Sequence, residues 1–266
     1  MADEVVLYEQ RGAVALLTLN RPERLNAWTG AMERQYFDLL DACASDPGVT
    51  VIVVTGAGRG FCAGADMELL QDIGSDRSGD TARAASTVHR PMWHPTTIPK
   101  PIISAINGAC AGMGVVQALM TDVRFAAAGA KFTTAFARRG LVAEHGISWV
   151  LPRLVGPAIA LDLLLSGRVF LSEEAAALGV VNAVLPGDKL IEHALAYAAD
   201  LAANAAPSSM AAMKRQVWGH LELGLAAATE ASNVLMAASL KNDDFREGVQ
   251  SFVEKRPPHF APLGTR

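Results

Sequence analysis

Hydrophobic and polar positions alternate along Val5 to Gln10 and again along Ala13 to Asn20, and the break at Arg11-Gly12 predicts a hairpin. Beyond Val49 the alternation gives way to unbroken apolar runs. Val49-Thr50-Val51-Ile52-Val53-Val54-Thr55 has the β-branched content of a strand buried on both faces, and Pro101 to Gly108 repeats it. Each run leads into a glycine-bearing loop, Phe61-Cys62-Ala63-Gly64-Ala65-Asp66 in one case and Cys110-Ala111-Gly112-Met113-Gly114 in the other. Helix formers follow both, Met67 to Leu70 and Val115 to Met120. Thr29 predicts the N-cap of a helix reaching about Ser45, and Ser172 the cap of a helix over Glu173 to Leu178. Short strands are expected at Val123 to Ala127, Lys131 to Thr134 and Val180 to Leu185. From about Asp188 the chain is Ala-rich and helical, interrupted at Pro207 and ending after Lys255 at Pro257-Pro258. The pattern predicts an α/β core over residues 1–200 and a helical region over 201–266. Gln71 to Thr81 is poor in apolar residues and is expected to be a mobile loop beside a site.

Composition narrows the class. With 266 residues, 51% of them hydrophobic, a large core is within reach. A net charge of −4 supplies no general basic surface for nucleic acid or an anionic membrane. Cys43, Cys62 and Cys110 have neither metal-ligand spacing nor the even count of a disulfide framework, so no metal is expected and the thiols fit a reducing compartment. Met1-Ala2-Asp3-Glu4 lacks the basic and apolar segments of a secretory leader, and no apolar run reaches the roughly 20 residues that span a bilayer. The expectation is a soluble, cytoplasmic enzyme.

The two loops carry the chemistry. The first N–H groups of a helix lack internal partners and sit at the positive end of its dipole, so each loop is suited to hold an oxyanion. Glycines that merely make tight turns would explain either loop alone. Two in tandem suggest a pair of amides aimed at one developing negative charge.

These segments, with Arg21-Pro22-Glu23-Arg24-Leu25-Asn26-Ala27, Lys100-Pro101, Leu151-Pro152-Arg153-Leu154-Val155-Gly156 and Phe252-Val253-Glu254-Lys255-Arg256, resemble the crotonase (enoyl-CoA hydratase/isomerase) superfamily over nearly the whole chain. The resemblance implies a crotonase-type ββα spiral core with a C-terminal helical oligomerisation region, homotrimers or dimers of trimers, and acyl-CoA thioester substrates. Coenzyme A is then part of the substrate, and no separate cofactor is expected. The oxyanion-hole amides map to Ala65 and Met113, with Ala63, Met67, Gly112, Phe136 and Leu141 among the residues that bind the CoA thioester and Asp66 at its adenine region. Arg24, Ala27, Phe252 and Lys255 map to contacts with coenzyme A, the last two often across a subunit boundary. A cap on the following helix is the simpler role for Asp66. The apolar stripe Leu221, Leu225, Val234, Leu235 and Leu240 fits a subunit contact.

Two glutamates that hydratases of this family use to hold and activate water map to Val116 and Phe136, which transfer no protons. The next acidic residue is Glu144, in a stretch that resembles single-carboxylate enoyl-CoA isomerases. There it would act as the acid/base of a double-bond shift, behind an apolar wall of Val116 and Phe136. His145 is expected to point away from Glu144, as neighbours on an extended loop do, although a hydrogen-bonding role stays open. Trp149 is expected to pack, and His89 and His94 give no metal spacing. Two alternatives stand beside the isomerase: hydration or another crotonase chemistry such as thioester hydrolysis, and a catalytically decayed CoA-binding protein.

Overall fold

A computed structural model describes residues 4–75 and 90–264. The hairpin forms as β1 (Val6–Arg11) and β2 (Val14–Leu19), paired antiparallel, with Gly12 in the left-handed region at φ 60°. Helix α1 (Gly30–Ser45) follows, capped by Thr29, whose side chain accepts a hydrogen bond from the Met32 amide at 3.2 Å.

Three strand–strand–helix units then repeat. They are β3 (Val51–Gly56), β4 (Gly60–Cys62) and α2 (Met67–Ser75); β5 (Ile102–Ile106), β6 (Ala109–Ala111) and α3 (Met113–Leu119); and β7 (Val123–Ala127), β8 (Lys131–Thr133) and α4 (Ile147–Val155). Each unit gives its first strand to a six-stranded sheet ordered β1-β2-β3-β5-β7-β10 and its second to a four-stranded sheet ordered β4-β6-β8-β9. Helix α5 (Pro157–Ser166), strand β9 (Phe170–Leu171), helix α6 (Ser172–Ala177) and strand β10 (Ala183–Leu185) complete this part. All pairings between the units are parallel, which places the loops after β4 and β6 at the same edge.

The central strands β3 and β5 of the large sheet are buried on both faces, as their apolar runs require, while the edge strand β1 is exposed beyond Val6. Val14, Leu16, Val51, Val53, Ile103 and Phe125 point to one face, under helix α7 (Leu190–Asn204) through Leu190, Ala194 and Ala198. The alternate positions Ala15, Leu17, Ile52, Val54 and Ile102 point to the other, among Tyr36, Phe37 and Leu40 of α1. Residue 200 therefore falls inside a helix that covers the core, and the helical tail proper begins at α8 (Pro207–His220), where Pro207 opens a helix. Helices α9 (Leu225–Ser239) and α10 (Asp243–Glu254) follow.

Several local expectations are revised. Leu171, not Ser172, occupies the cap position of α6, and the Ser172 hydroxyl donates instead to Glu173 at 3.1 Å. The strand expected over Val180 to Leu185 is confined to β10. Helix α2 runs on to Ser75 through the start of the expected loop, while the rest of that loop and His89 lie outside the described residues.

A buried ion pair docks the tail on the core. Lys214 of α8 lies 2.8 Å from Asp122, donates to the Lys100 carbonyl at 3.1 Å, and has its pKa pushed down by burial against the pull of Asp122. Asp122 in turn accepts from the Ile102 amide at 2.7 Å. Lys214→Met leaves that carboxylate without its cation and is expected to cost about 3 kcal/mol, measured by urea unfolding.

Candidate active site

The site begins with the contact between two glycine loops. β4 and β6 are adjacent parallel strands, so the chain leaves both at the same edge. A Cβ on Gly114 would meet the Cys62 carbonyl oxygen at 2.1 Å, and one on Gly64, which holds φ 104°, would lie 3.9 Å from the Gly112 Cα. Backbone therefore touches backbone, at an approach that side chains would forbid.

The amides that matter are left over by this packing. Trp28 pairs with the first loop as a parallel bridge: its N–H donates to the Gly64 carbonyl at 2.7 Å, and its carbonyl accepts from the Asp66 N–H at 3.0 Å. In such a bridge the N–H of the residue between faces the opposite way, and that residue is Ala65. In the second loop the Gly112 N–H donates to Thr133 at 3.0 Å and its carbonyl accepts from Val116 at 3.0 Å, making Met113 the first residue of α3. Among the described residues the Ala65 and Met113 amides have no protein acceptor.

Both loops line a cleft of about 180 Å³. Of the residues expected in the site, Arg24, Ala27, Ala63, Ala65, Asp66, Met67, Gly112, Met113, Phe136, Leu141 and Glu144 all line it. Phe252 and Lys255 do not: Phe252, on α10, is 85% exposed and lines a separate groove of about 430 Å³, while Lys255 ends that helix. Val116 is fully buried behind the cleft, so of the expected apolar wall Phe136 alone faces it. Trp149 stacks on Trp218 with ring centres 6.3 Å apart and carries the Arg153 guanidinium 3.8 Å above its ring, in line with a packing role. His94 is held by Asp41 at 2.7 Å.

Glu144 reaches the cleft from the turn before α4, its side chain 36% exposed. The imidazole of His145 does not point away from it. His145 sits at φ 57°, which folds the chain back and brings its Nε2 to 3.5 Å from a Glu144 carboxylate oxygen. Sequence spacing gives no hint of this, because it depends on one backbone angle.

Asp66 caps α2 by accepting from the Glu68 amide at 3.0 Å and pairs with Arg21 at 2.8 Å. Burial pushes its carboxyl up, but the Arg21 guanidinium and the Glu68 amide outweigh that and hold it below the ordinary 3.8. Asp66→Ala is expected to cost about 1–2 kcal/mol in urea unfolding at neutral pH. Since the folded value is the lower one, the contribution is complete above the ordinary value and fades as pH falls through the folded one. The gap between variant and wild type should therefore close in acid. Arg24 spends its charge on Glu68 at 2.8 Å, with both side chains well exposed.

Cysteine nucleophiles are excluded by burial. It pushes the Cys62 thiol up to about 12, and Cys110 lies fully buried beside it with its thiol also far up. Among the described residues no cluster of three or more His, Cys, Asp or Glu could hold a metal, and no helix is long and apolar enough to cross a membrane.

Sequence reasoning passed over Thr134, Ala135 and Arg139, which also line the cleft. It passed over Glu33 as well, a carboxylate only 6% exposed. A signal was present there. Glu33 falls in step with Tyr36, Phe37 and Leu40, on the buried stripe of α1, where an acid is out of place.

The chain as a whole is similar to known proteins. The sequence model of the family described as Enoyl-CoA hydratase/isomerase matches residues 9–262. The chain is 36% identical to a probable enoyl-CoA hydratase of Rhodobacter capsulatus, over 98% of this chain and 99% of that protein. It is 35% identical to the 1,2-epoxyphenylacetyl-CoA isomerase of Escherichia coli, over 97% and 98%. A crystal structure of an enoyl-CoA hydratase from Mycobacterium marinum shares 50% identity and superposes with a TM-score of 0.70, covering 85% of this chain and all of the other.

Proposed function

This chain belongs to the enoyl-CoA hydratase/isomerase family, and from that premise we propose that it shifts a carbon–carbon double bond in an enoyl-CoA thioester, with Glu144 as the acid/base. The fold is the family's ββα spiral, and the substrate class is acyl-CoA. One observation carries the finer reading: Glu144 lines the same cleft as the free Ala65 and Met113 amides. The family resemblance supports it, since it maps the water-activating pair of carboxylates to Val116 and Phe136, which transfer no protons.

The chemistry follows from that arrangement. Glu144 takes a proton from the α-carbon of a 3-enoyl-CoA, which places negative charge on the thioester oxygen. Two amides already aimed at that oxygen stabilise the dienolate more than the neutral thioester, and it is this difference that lowers the barrier. The same carboxyl then returns the proton to the γ-carbon. A single carboxylate suffices because it is regenerated.

The position of His145 supports a second reading. An imidazole 3.5 Å from Glu144 supplies a second group able to hold water, and hydratase is the commoner name among the relatives. Incubation with 3-enoyl and 2-enoyl thioesters separates the two. Isomerisation gives products of unchanged mass with exchange at the α-carbon, whereas hydration adds the mass of water. Tight binding without either would leave a CoA-binding protein.

For the assembly we read a further coat of subunits. Leu221, Leu225, Val234 and Leu240 are exposed on the tail, as are Phe252 and Val253, apolar surface that a trimer or a dimer of trimers would cover. Covering it is also the route by which Phe252 and Lys255 could meet a neighbouring subunit's coenzyme A.

A further inference from the structure

We propose that Glu33 is a positioning residue for the Ala65 amide, acting through the indole of Trp28. Its carboxylate accepts from Trp28 Nε1 at 3.1 Å, and the backbone of that same Trp28 brackets Ala65 on both sides. The inference rests on the reading of Ala65 as an oxyanion donor.

The geometry is specific. Glu33 lies in the first turn of α1, one residue past Met32, whose amide Thr29 caps, so its side chain is not the helix cap. It turns back over the entry of the helix onto Trp28, which is 4% exposed and also meets the edge of Tyr36 at 5.6 Å between ring centres. The indole is thus held by both a ring contact and a carboxylate. The Trp28 backbone cannot shift without carrying the Gly64 carbonyl and the Asp66 amide with it, and Ala65 lies between them.

The carboxylate is also expensive where it stands. Burial pushes its pKa up, opposed by the indole hydrogen bond and by the charges of His145 and Arg34. An acid whose folded pKa exceeds its unfolded one subtracts from stability above the unfolded value, and the loss is recovered as pH falls. For filling the stripe, an apolar side chain would be cheaper. What it could not do is hold the indole N–H.

The test reads the amide directly. Infrared spectra of carbonyl-labelled butyryl-CoA bound to the protein report how strongly the hole pulls on the thioester oxygen, and a residue that merely fills space would not move that band. Wild type is expected to lower the carbonyl stretch relative to free thioester. Glu33→Ala and Trp28→Phe should lose most of that lowering and cut α-proton exchange by about tenfold or more, with affinity for the thioester within about threefold. Glu33→Gln keeps an acceptor for the indole, so it should retain the lowered band, with a thermal midpoint at neutral pH no lower than wild type. The proposal is overturned if Glu33→Ala, or Trp28→Phe should the alanine variant not fold, lowers the band as wild type does. A wild-type protein that binds the thioester yet leaves the band unmoved would sink the oxyanion reading itself, and this inference with it.

Discussion

Glu144→Gln is expected to slow the double-bond shift and α-proton exchange by about 10²–10⁴-fold, with KM for the thioester changed only a few fold. Glutamine matches the carboxylate in size and leaves the same atoms near His145, so the cleft wall keeps its shape. What goes is the ability to take up a proton. Because the side chain is not proposed to contact coenzyme A, ground-state binding has little to lose, and the loss should fall on kcat and kcat/KM together. Stopped-flow absorbance with a conjugating 3-enoyl-CoA measures the shift, and mass spectrometry in deuterated water the exchange. Full activity in this variant would move the acid/base elsewhere and remove the isomerase mechanism proposed above.

Gly114→Ala should be the more damaging change, although it adds one methyl group. The new Cβ would lie 2.1 Å from the Cys62 carbonyl oxygen and 3.0 Å from its carbonyl carbon, with no flexible side chain to yield. Either the two loops part or the protein does not fold; a well-packed core charges about 1–3 kcal/mol for overpacking, and a backbone collision stands at or beyond the upper end. If the protein folds, the amides of Ala65 and Met113 no longer converge, and the loss of one oxyanion donor costs about 10²–10³ in kcat. Gly219→Ala in α8 is the control, since a Cβ there meets nothing within 4 Å and helix propensity favours alanine by about 1 kcal/mol. Thermal unfolding and kcat for both variants check the argument, and a Gly114→Ala protein with normal stability and activity would refute it.

Much of this molecule was written in its residue pattern, for identifiable reasons. The β-branched runs at 51–56 and 102–106 are buried on both faces because parallel strands need cover on both, and an unbroken apolar run can satisfy that only in the interior. Thr29 capped its helix as its side chain predicts. The three-residue strands β4 and β6 were not legible, because so short a segment shows no period and its pairing depends on a distant partner. The same holds for Ser172, a competent cap placed one residue inside the helix.

Sequence alone determined the family, the two loops and the absence of carboxylates at positions 116 and 136, since these are matters of residue type and order. Tertiary structure decided that the loops meet backbone to backbone, that the chain folds His145 back onto Glu144, and that a buried Glu33 grips the tryptophan bracketing Ala65. Residue type fixes which groups can donate a hydrogen bond or a proton. Where those groups point is set by a few backbone angles and by pairings between segments far apart in the chain, and local propensity does not encode either.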